Sequence, residues 1–112
     1  ARFTQIDYNR EMALIGEVDE DGRKKMIGVS RIVSDLENKT AEFAIVVADP
    51  WQGKGLGGHL TDKIIEIARD KGIEKIYASV MKGNEMMVQM FKDRDFTFES
   101  VDINVFYVEK YV

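Results

Sequence analysis

Cysteine is absent from this 112-residue chain, and histidine and proline occur once each. Without cysteine there can be no disulfide, no thiolate zinc site and no cysteine nucleophile. One histidine rules out a multi-histidine metal site, and no metal is expected. No apolar run approaches the roughly 18 residues that a membrane span needs. The expected setting is therefore cytoplasmic, with no membrane partner. A basic excess is missing too: 16 Lys and Arg stand against 20 Asp and Glu, a net charge of −4. A nucleic-acid partner held by bulk electrostatics needs a concentrated basic face, so none is expected. With the single proline at Pro50 and no repeat or low-complexity stretch, the chain reads as continuous structure with short joints. What is present is ordinary globular composition, 45% hydrophobic and 32% charged. A chain of this size makes one domain, spanning residues 1–112, and buries roughly two thirds of its unfolded surface.

Residues 1–9 carry too little periodicity to assign. Residues 11–18 have strand character and run into Asp19-Glu20-Asp21-Gly22, an acidic turn of the hairpin-closing type. Residues 24–33 supply the return strand, with Val29, Ile32 and Val33 as β-branched content. The stretch TAEFAIVVA at 40–48 is the most apolar in the chain and suits a central strand buried on both faces. Glu42 is the exception in it, and a carboxylate there needs an explanation. Beyond a glycine-dense loop, Leu56, Leu60, Ile64, Ile67 and Ala68 fall on one stripe of a helix that Gly72 stops. A strand at 73–80 follows. Asn84 is placed to cap a second helix, with Met87, Met90 and Phe91 facing inward, and 96–101 and 104–112 read as two closing strands. The order is mixed α/β with one right-handed crossover at its centre.

The informative feature is the passage from an apolar strand through four glycines among residues 53–58 into a helix. Glycines allow close backbone approach, and the first N–H groups of a helix have no internal acceptors. Together with the helix dipole they form an anion site suited to a pyrophosphate. A purely connecting turn is the bland alternative, and it makes poor use of so much backbone freedom. The P-loop string GxxxxGK[ST] does not occur. Gly53-Lys54-Gly55-Leu56-Gly57-Gly58 satisfies GxGxxG, but Asp49 to Gln52 separate it from its strand and nothing acidic closes the strand at 73–80. A nicotinamide-dinucleotide domain is therefore the third reading.

A longer match exists. Gln52-Gly53-Lys54-Gly55-Leu56-Gly57 resembles the Q/R-x-x-G-x-G/A acyl-CoA loop of the GNAT acetyltransferase superfamily, and it stands in the strand–loop–helix context of that family. Asn84, Phe91 and Phe96 are similar to its second signature: an Asn, an aromatic residue seven positions on, and a final Phe. In element order the resemblance covers residues 11–112. Locally, FTQIDYNREMAL and TAEFAIVVADPWQGKGLG resemble bacterial protein-lysine acetyltransferases, which are often fused behind an acyl-CoA-synthetase-like domain.

The resemblance implies a mixed, largely antiparallel α+β sheet with a central parallel strand pair. It also implies that the chain is a C-terminal fragment lacking the first strand and helices of the fold, with Ala1–Tyr8 the remnant of the second helix. The implied co-substrate is acetyl-CoA. Strand amides of Ala44, Ile45, Val46 and Val47 would bind pantetheine, and amides from Gly53 through Lys54, Gly55, Leu56 and Gly57 the pyrophosphate. Gln52 would be a polar anchor and Leu56 a core anchor of the helix, while Lys54 would add charge near a phosphate or stay solvated. Asn84 would face the pantetheine arm, cap its helix, or do both, and Phe91 would stand beside the cofactor.

Glu42 is the implied general base, half-buried and raised in pKa; its bland alternative is pairing with Lys39 or Arg31. Transfer would be direct to an amine, with a protein lysine as the expected acceptor and a strand amide near Val46 or Val47 holding the oxyanion. The chain departs from the family pattern at Phe91, where many members carry a proton-donating tyrosine; Tyr77 and Tyr107 are distant substitutes. Asp95 replaces the usual glycine before Phe96 and implies a different turn. These departures motivate a second reading, an acyl-CoA-sensing module without transfer activity.

Of the remaining residues, His59 is expected in a surface contact, and Met81, Met86, Met87 and Met90 as adaptable core filling. Trp51 either leans over the cofactor or covers the core edge. The closing strands could pair between subunits in a homodimer.

Overall fold

The computed structural model describes every residue except Asn38. Its described elements are β1 (Arg2–Asp7), β2 (Glu11–Glu20), β3 (Arg23–Ser34), β4 (Thr40–Val47), a 3-10 turn (Asp49–Trp51), α1 (Leu56–Asp70), β5 (Lys75–Met81), α2 (Glu85–Asp93), β6 (Thr97–Ser100) and β7 (Val105–Tyr111). The strands form one sheet in the order β1-β2-β3-β4-β5-β7-β6. Every neighbouring pair is antiparallel except β4 and β5. The mixed, largely antiparallel sheet expected from the sequence is the one observed. Two parallel βαβ halves, which a dinucleotide fold requires, are not what this sheet is built from, so the nicotinamide reading falls.

The β2–β3 hairpin closes through Asp21 (φ 52°) and Gly22 (φ 76°), the double left-handed turn that matches the twist of paired strands. Residues 1–8 do not close a helix. Arg2–Asp7 pairs along its whole length with β2, and Phe3 turns inward to lie against the His59 ring of α1, 4.8 Å between centroids.

Both helices cover one face of the sheet. Met12, Ile32, Phe43, Ile76 and Val108 are buried there beneath Leu60, Ile64 and Phe91. Burying side chains of this size stabilises by about 1.5–3 kcal/mol each. Helix α1 can lie this close because Gly28 has no side chain: a Cβ there would stand 2.9 Å from Leu60 Cδ1 and 3.2 Å from the Val46 carbonyl. The helix ends where Gly72 (φ 81°) lets the Ile73 N–H reach back to the Ala68 carbonyl.

Strand β4 differs from expectation. Ala41 and Phe43 are buried, whereas Glu42, Ala44 and Val46 are exposed. Its apolar run looks two-sided in sequence, but only the helix-covered face is packed among the described residues. The Met cluster divides likewise: Met87 and Met90 pack against the core, while Met81 and Met86 are more than half exposed.

Asp95 also departs from its expectation. It adopts φ 62° and, with Asp95 N–H on the Lys92 carbonyl and Phe96 N–H on the Phe91 carbonyl, completes the turn a glycine would make. The turn is therefore the ordinary one, held by a residue for which it is strained.

Candidate active site

The site begins where β4 and β5 stop pairing. Their parallel ladder covers only Thr40, Ala41 and Glu42 against Lys75, Ile76 and Tyr77. Beyond it, β4 continues against β3 as far as Val47, and β5 against β7 as far as Met81. Each strand stays fully formed because its outer neighbour holds it, and a wedge opens between them.

The antiparallel ladder on the far side decides which β4 groups face this wedge. Ala48 donates its N–H to the Ile27 carbonyl at 2.8 Å. Direction alternates along such a ladder, so Val46 and Ala44 also turn their N–H and C=O toward β3. The groups of Phe43, Ile45 and Val47 point into the wedge. Of the four strand amides expected to meet a ligand, Ala44 and Val46 are thus committed to the sheet, and Ile45 and Val47 are available.

At the wide end of the wedge, Gln52 ties down the chain by donating from Nε2 to the Val47 carbonyl and to Asp49 Oδ1, both at 3.1 Å. The loop then turns through Gly53 (φ 75°) and Gly55 (φ 85°), conformations that cost an L-residue about 1–2 kcal/mol. Gly55 is the N-cap of α1 and has no side chain with which to cap it. His59 is the first residue in this stretch whose N–H finds a backbone acceptor, the Gly55 carbonyl. Among the described residues, the N–H groups from Gly53 to Gly58 have no acceptor in hydrogen-bonding geometry. Six consecutive donors at the positive end of a 15-residue helix form an anion cradle.

A cleft of about 440 Å³ lies against this cradle. Val47, Gln52 and the loop glycines 53, 55, 57 and 58 line one side. Asn84, Met87, Met90 and Arg94 of the α2 region are among those lining the other. Asn84 caps α2, accepting the Met87 N–H at 3.2 Å, and also borders the cleft.

A sequence model of the acetyltransferase (GNAT) family matches residues 1–96. The chain belongs to this family. It is 35% identical over 86 residues to an acetyltransferase of Pseudomonas aeruginosa, covering 77% of this chain and 46% of that one. It is 27% identical over 93 residues to a spermidine N(1)-acetyltransferase of Vibrio cholerae, covering 81% and 54%. Among solved structures, the GNAT domain of S. lividans PAT superposes with a TM-score of 0.78 at 26% identity, covering 98% of this chain and 65% of that one. The chain thus spans about half the length of these curated relatives. Acetyltransferases of the GNAT family use acetyl-CoA, and the cradle and wedge suit its diphosphate and its pantetheine arm.

Other residues singled out in the GNAT motifs land in different places. Leu56 anchors the first turn of α1 against the core. Lys54 is exposed, with its Nζ 5.5 Å from the centre of the half-buried Trp51 ring, and neither borders the cleft. Phe91 does not stand beside the cleft. It is 2% exposed, edge-on to Phe43 and Phe96, and serves the core.

Glu42 holds the last paired position before the wedge, opposite Tyr77 and on the face away from the helices. It is exposed rather than half-buried, and Arg31 pairs instead with Glu11 at 3.3 Å. Register sets Tyr77 beside Glu42. It stacks on Tyr107 (5.9 Å), whose hydroxyl donates to Glu109 Oε2 at 2.9 Å, and Glu109 also meets Lys75 Nζ at 3.3 Å. Burial, and then the Glu109 carboxylate, raise the Tyr107 pKa, while the bond to Glu109 raises that of Lys75.

Sequence reasoning missed Arg94 altogether. Its partner Asp62 lies 32 positions earlier on another helix, and nothing in the spacing announces the pair.

Proposed function

We propose that the protein is an acetyl-CoA-dependent N-acetyltransferase that passes acetyl directly to an amine, with a protein lysine ε-amine as acceptor. The observation that carries this is the wedge: β4 and β5 separate just past Glu42 and Tyr77, and unpaired N–H groups of Ile45, Val47 and residues 53–58 face the space. In this reading the cofactor enters from the helix-covered face, its diphosphate on the cradle and its pantetheine along β4. The acceptor approaches from the opposite face, where Glu42 is exposed.

An amine arrives as an ammonium with a pKa near 10.4 and cannot attack until it loses a proton. Glu42 takes that proton, directly or through one water. The nitrogen then bonds to the thioester carbonyl carbon, and the developing oxyanion accepts a hydrogen bond from Val47 or Ile45 N–H. The attacking nitrogen gives up its second proton to water, and collapse breaks the C–S bond and releases CoA as its thiolate, which takes a proton from water, since Phe91 has none to give.

The test is transfer of labelled acetyl to lysine peptides and to spermidine. The wild-type protein is expected to acetylate the peptides. Glu42→Gln should cut kcat roughly a hundredfold, the usual weight of a general base, with CoA affinity within about twofold of wild type. Unchanged turnover would remove Glu42 from the role. The buried, hydroxyl-free Phe91 supports a second reading, acyl-CoA sensing without transfer, and CoA binding with no acetylated product of either kind would favour it.

A further inference from the structure

Among the described residues lining the cleft, which include the carboxylate of Asp93, Arg94 is the one basic side chain, and its guanidinium is held on both sides. Nε and Nη2 meet the two oxygens of Asp62 at 2.8 and 3.3 Å, and Nη1 donates to the Met90 carbonyl at 3.1 Å. The group lies directly over Gly58, in the space a Cβ there would fill, so it sits against the first turn of α1. Three of the six unsatisfied N–H groups belong to that turn.

The two partners are unlike in their freedom. The Arg94 side chain is 21% exposed and fixed at the cleft wall, whereas that of Asp62 is 60% exposed and can swing into solvent. An exposed carboxylate contributes little net stability to such a pair. A phosphate offers the same fork more acceptor oxygens and more charge.

From this arrangement we infer that Arg94 is a further cofactor-binding residue, which gives up Asp62 and takes a phosphate of the acyl-CoA. Asp62 is its placeholder, keeping the guanidinium at the cleft wall and paired while the site is empty. A multiply charged ligand entering a cleft with one basic side chain needs that charge, since Lys54 stands outside over Trp51. Arg94 thereby favours CoA thioesters over shorter thioesters that carry no phosphate, and Asp62 tempers that preference by competing for the same fork. The inference rests on the acetyl-CoA reading above.

Calorimetric titration of CoA, dephospho-CoA and pantetheine into wild type, Arg94→Ala and Asp62→Asn tests it. Arg94→Ala should weaken CoA about tenfold or more and leave pantetheine unchanged. Asp62→Asn should tighten CoA several-fold, an opposite sign that loss of folding cannot mimic. A penalty for CoA and dephospho-CoA alike places Arg94 on the diphosphate, and a penalty for CoA alone on the 3′-phosphate; either supports the assignment. Unchanged CoA affinity in Arg94→Ala, an equal loss for pantetheine, or weaker CoA binding in Asp62→Asn overturns it while acetyl-CoA binding stands. Wild-type protein that binds no CoA overturns the acetyl-CoA reading itself, and this inference with it.

Discussion

Gly55 and Gly57 stand two residues apart in the same loop, yet the structure assigns them opposite sensitivities. A Cβ on Gly55 would meet nothing within 4 Å, so crowding is no obstacle; the obstacle is its φ of 85°. Alanine there must either hold a left-handed conformation at about 1–2 kcal/mol or relax φ and turn the cradle's N–H groups away. Gly57 already lies in helical conformation, and its Cβ would make ordinary contacts at 3.6 Å with Val47 Cγ2 and 3.8 Å with Ile45 Cδ1. Gly57→Ala should therefore stabilise by about 0.4–1 kcal/mol through the unfolded state. At about 4 °C per kcal/mol for a domain of this size, Gly55→Ala lowers Tm by roughly 4–8 °C and Gly57→Ala raises it by roughly 2–4 °C. Binding should separate them further. Losing one charge-assisted N–H contact costs about 1.5–3 kcal/mol, so Gly55→Ala should weaken CoA at least tenfold, while Gly57→Ala stays near wild type. Thermal melts and CoA calorimetry on the two variants give the answer. Equal Tm shifts, or full CoA affinity in Gly55→Ala, would show that the loop's left-handed geometry is not what builds the site.

Three further outcomes are expected. Asp95→Gly should raise Tm by a few degrees by relieving about 1 kcal/mol of left-handed strain, and Asp95→Ala should not; a loss of stability in the glycine variant would mean that the aspartate has a compensating role. Gly28→Ala should cost about 1–3 kcal/mol in urea unfolding, because the new methyl meets Leu60 on one side and the Val46 carbonyl on the other; an unchanged midpoint would contradict the close seating of α1. Lys75 and Tyr107 both have raised pKa values in the folded protein. Their contribution is complete below the unfolded values near 10 and is lost as pH rises through the folded ones. Stability should fall in that alkaline window, and Glu109→Gln should flatten the fall; an unaltered slope in that variant would detach it from this cluster.

The sequence disclosed those parts of the fold that depend on local chemistry. Asp21-Gly22 can make a two-residue turn, Gly72 can end a helix and Asn84 can cap one, and each does so through bonds within a few residues. Periodicity placed Leu60, Ile64 and Ala68 in the core but passed over Ile65, which the wider buried face of α1 includes. Failures came where the answer depends on what lies across the sheet. The one-sided burial of β4 is set by helices covering a single face, which no reading of TAEFAIVVA alone supplies. Arg2–Asp7 becomes a strand because β2 offers an edge.

The wedge marks the boundary between the two kinds of knowledge. Its loop was legible, because four glycines in six positions supply a backbone freedom that an ordinary connection does not need. Its depth is set by register, with β4 held by β3 as far as Val47 and β5 by β7 as far as Met81. That register bears on the chemistry. Had β4 and β5 stayed paired through Val47 and Met81, the N–H groups of Ile45 and Val47 would be spent on the ladder. The cradle at residues 53–58 could then still hold a diphosphate, but no thioester could reach Glu42 on the opposite face. Substitutions that tighten the β4–β5 contact beyond Glu42 should accordingly abolish transfer and weaken pantetheine, while the diphosphate keeps its contacts with the cradle, a pattern that damage to the cradle would reverse.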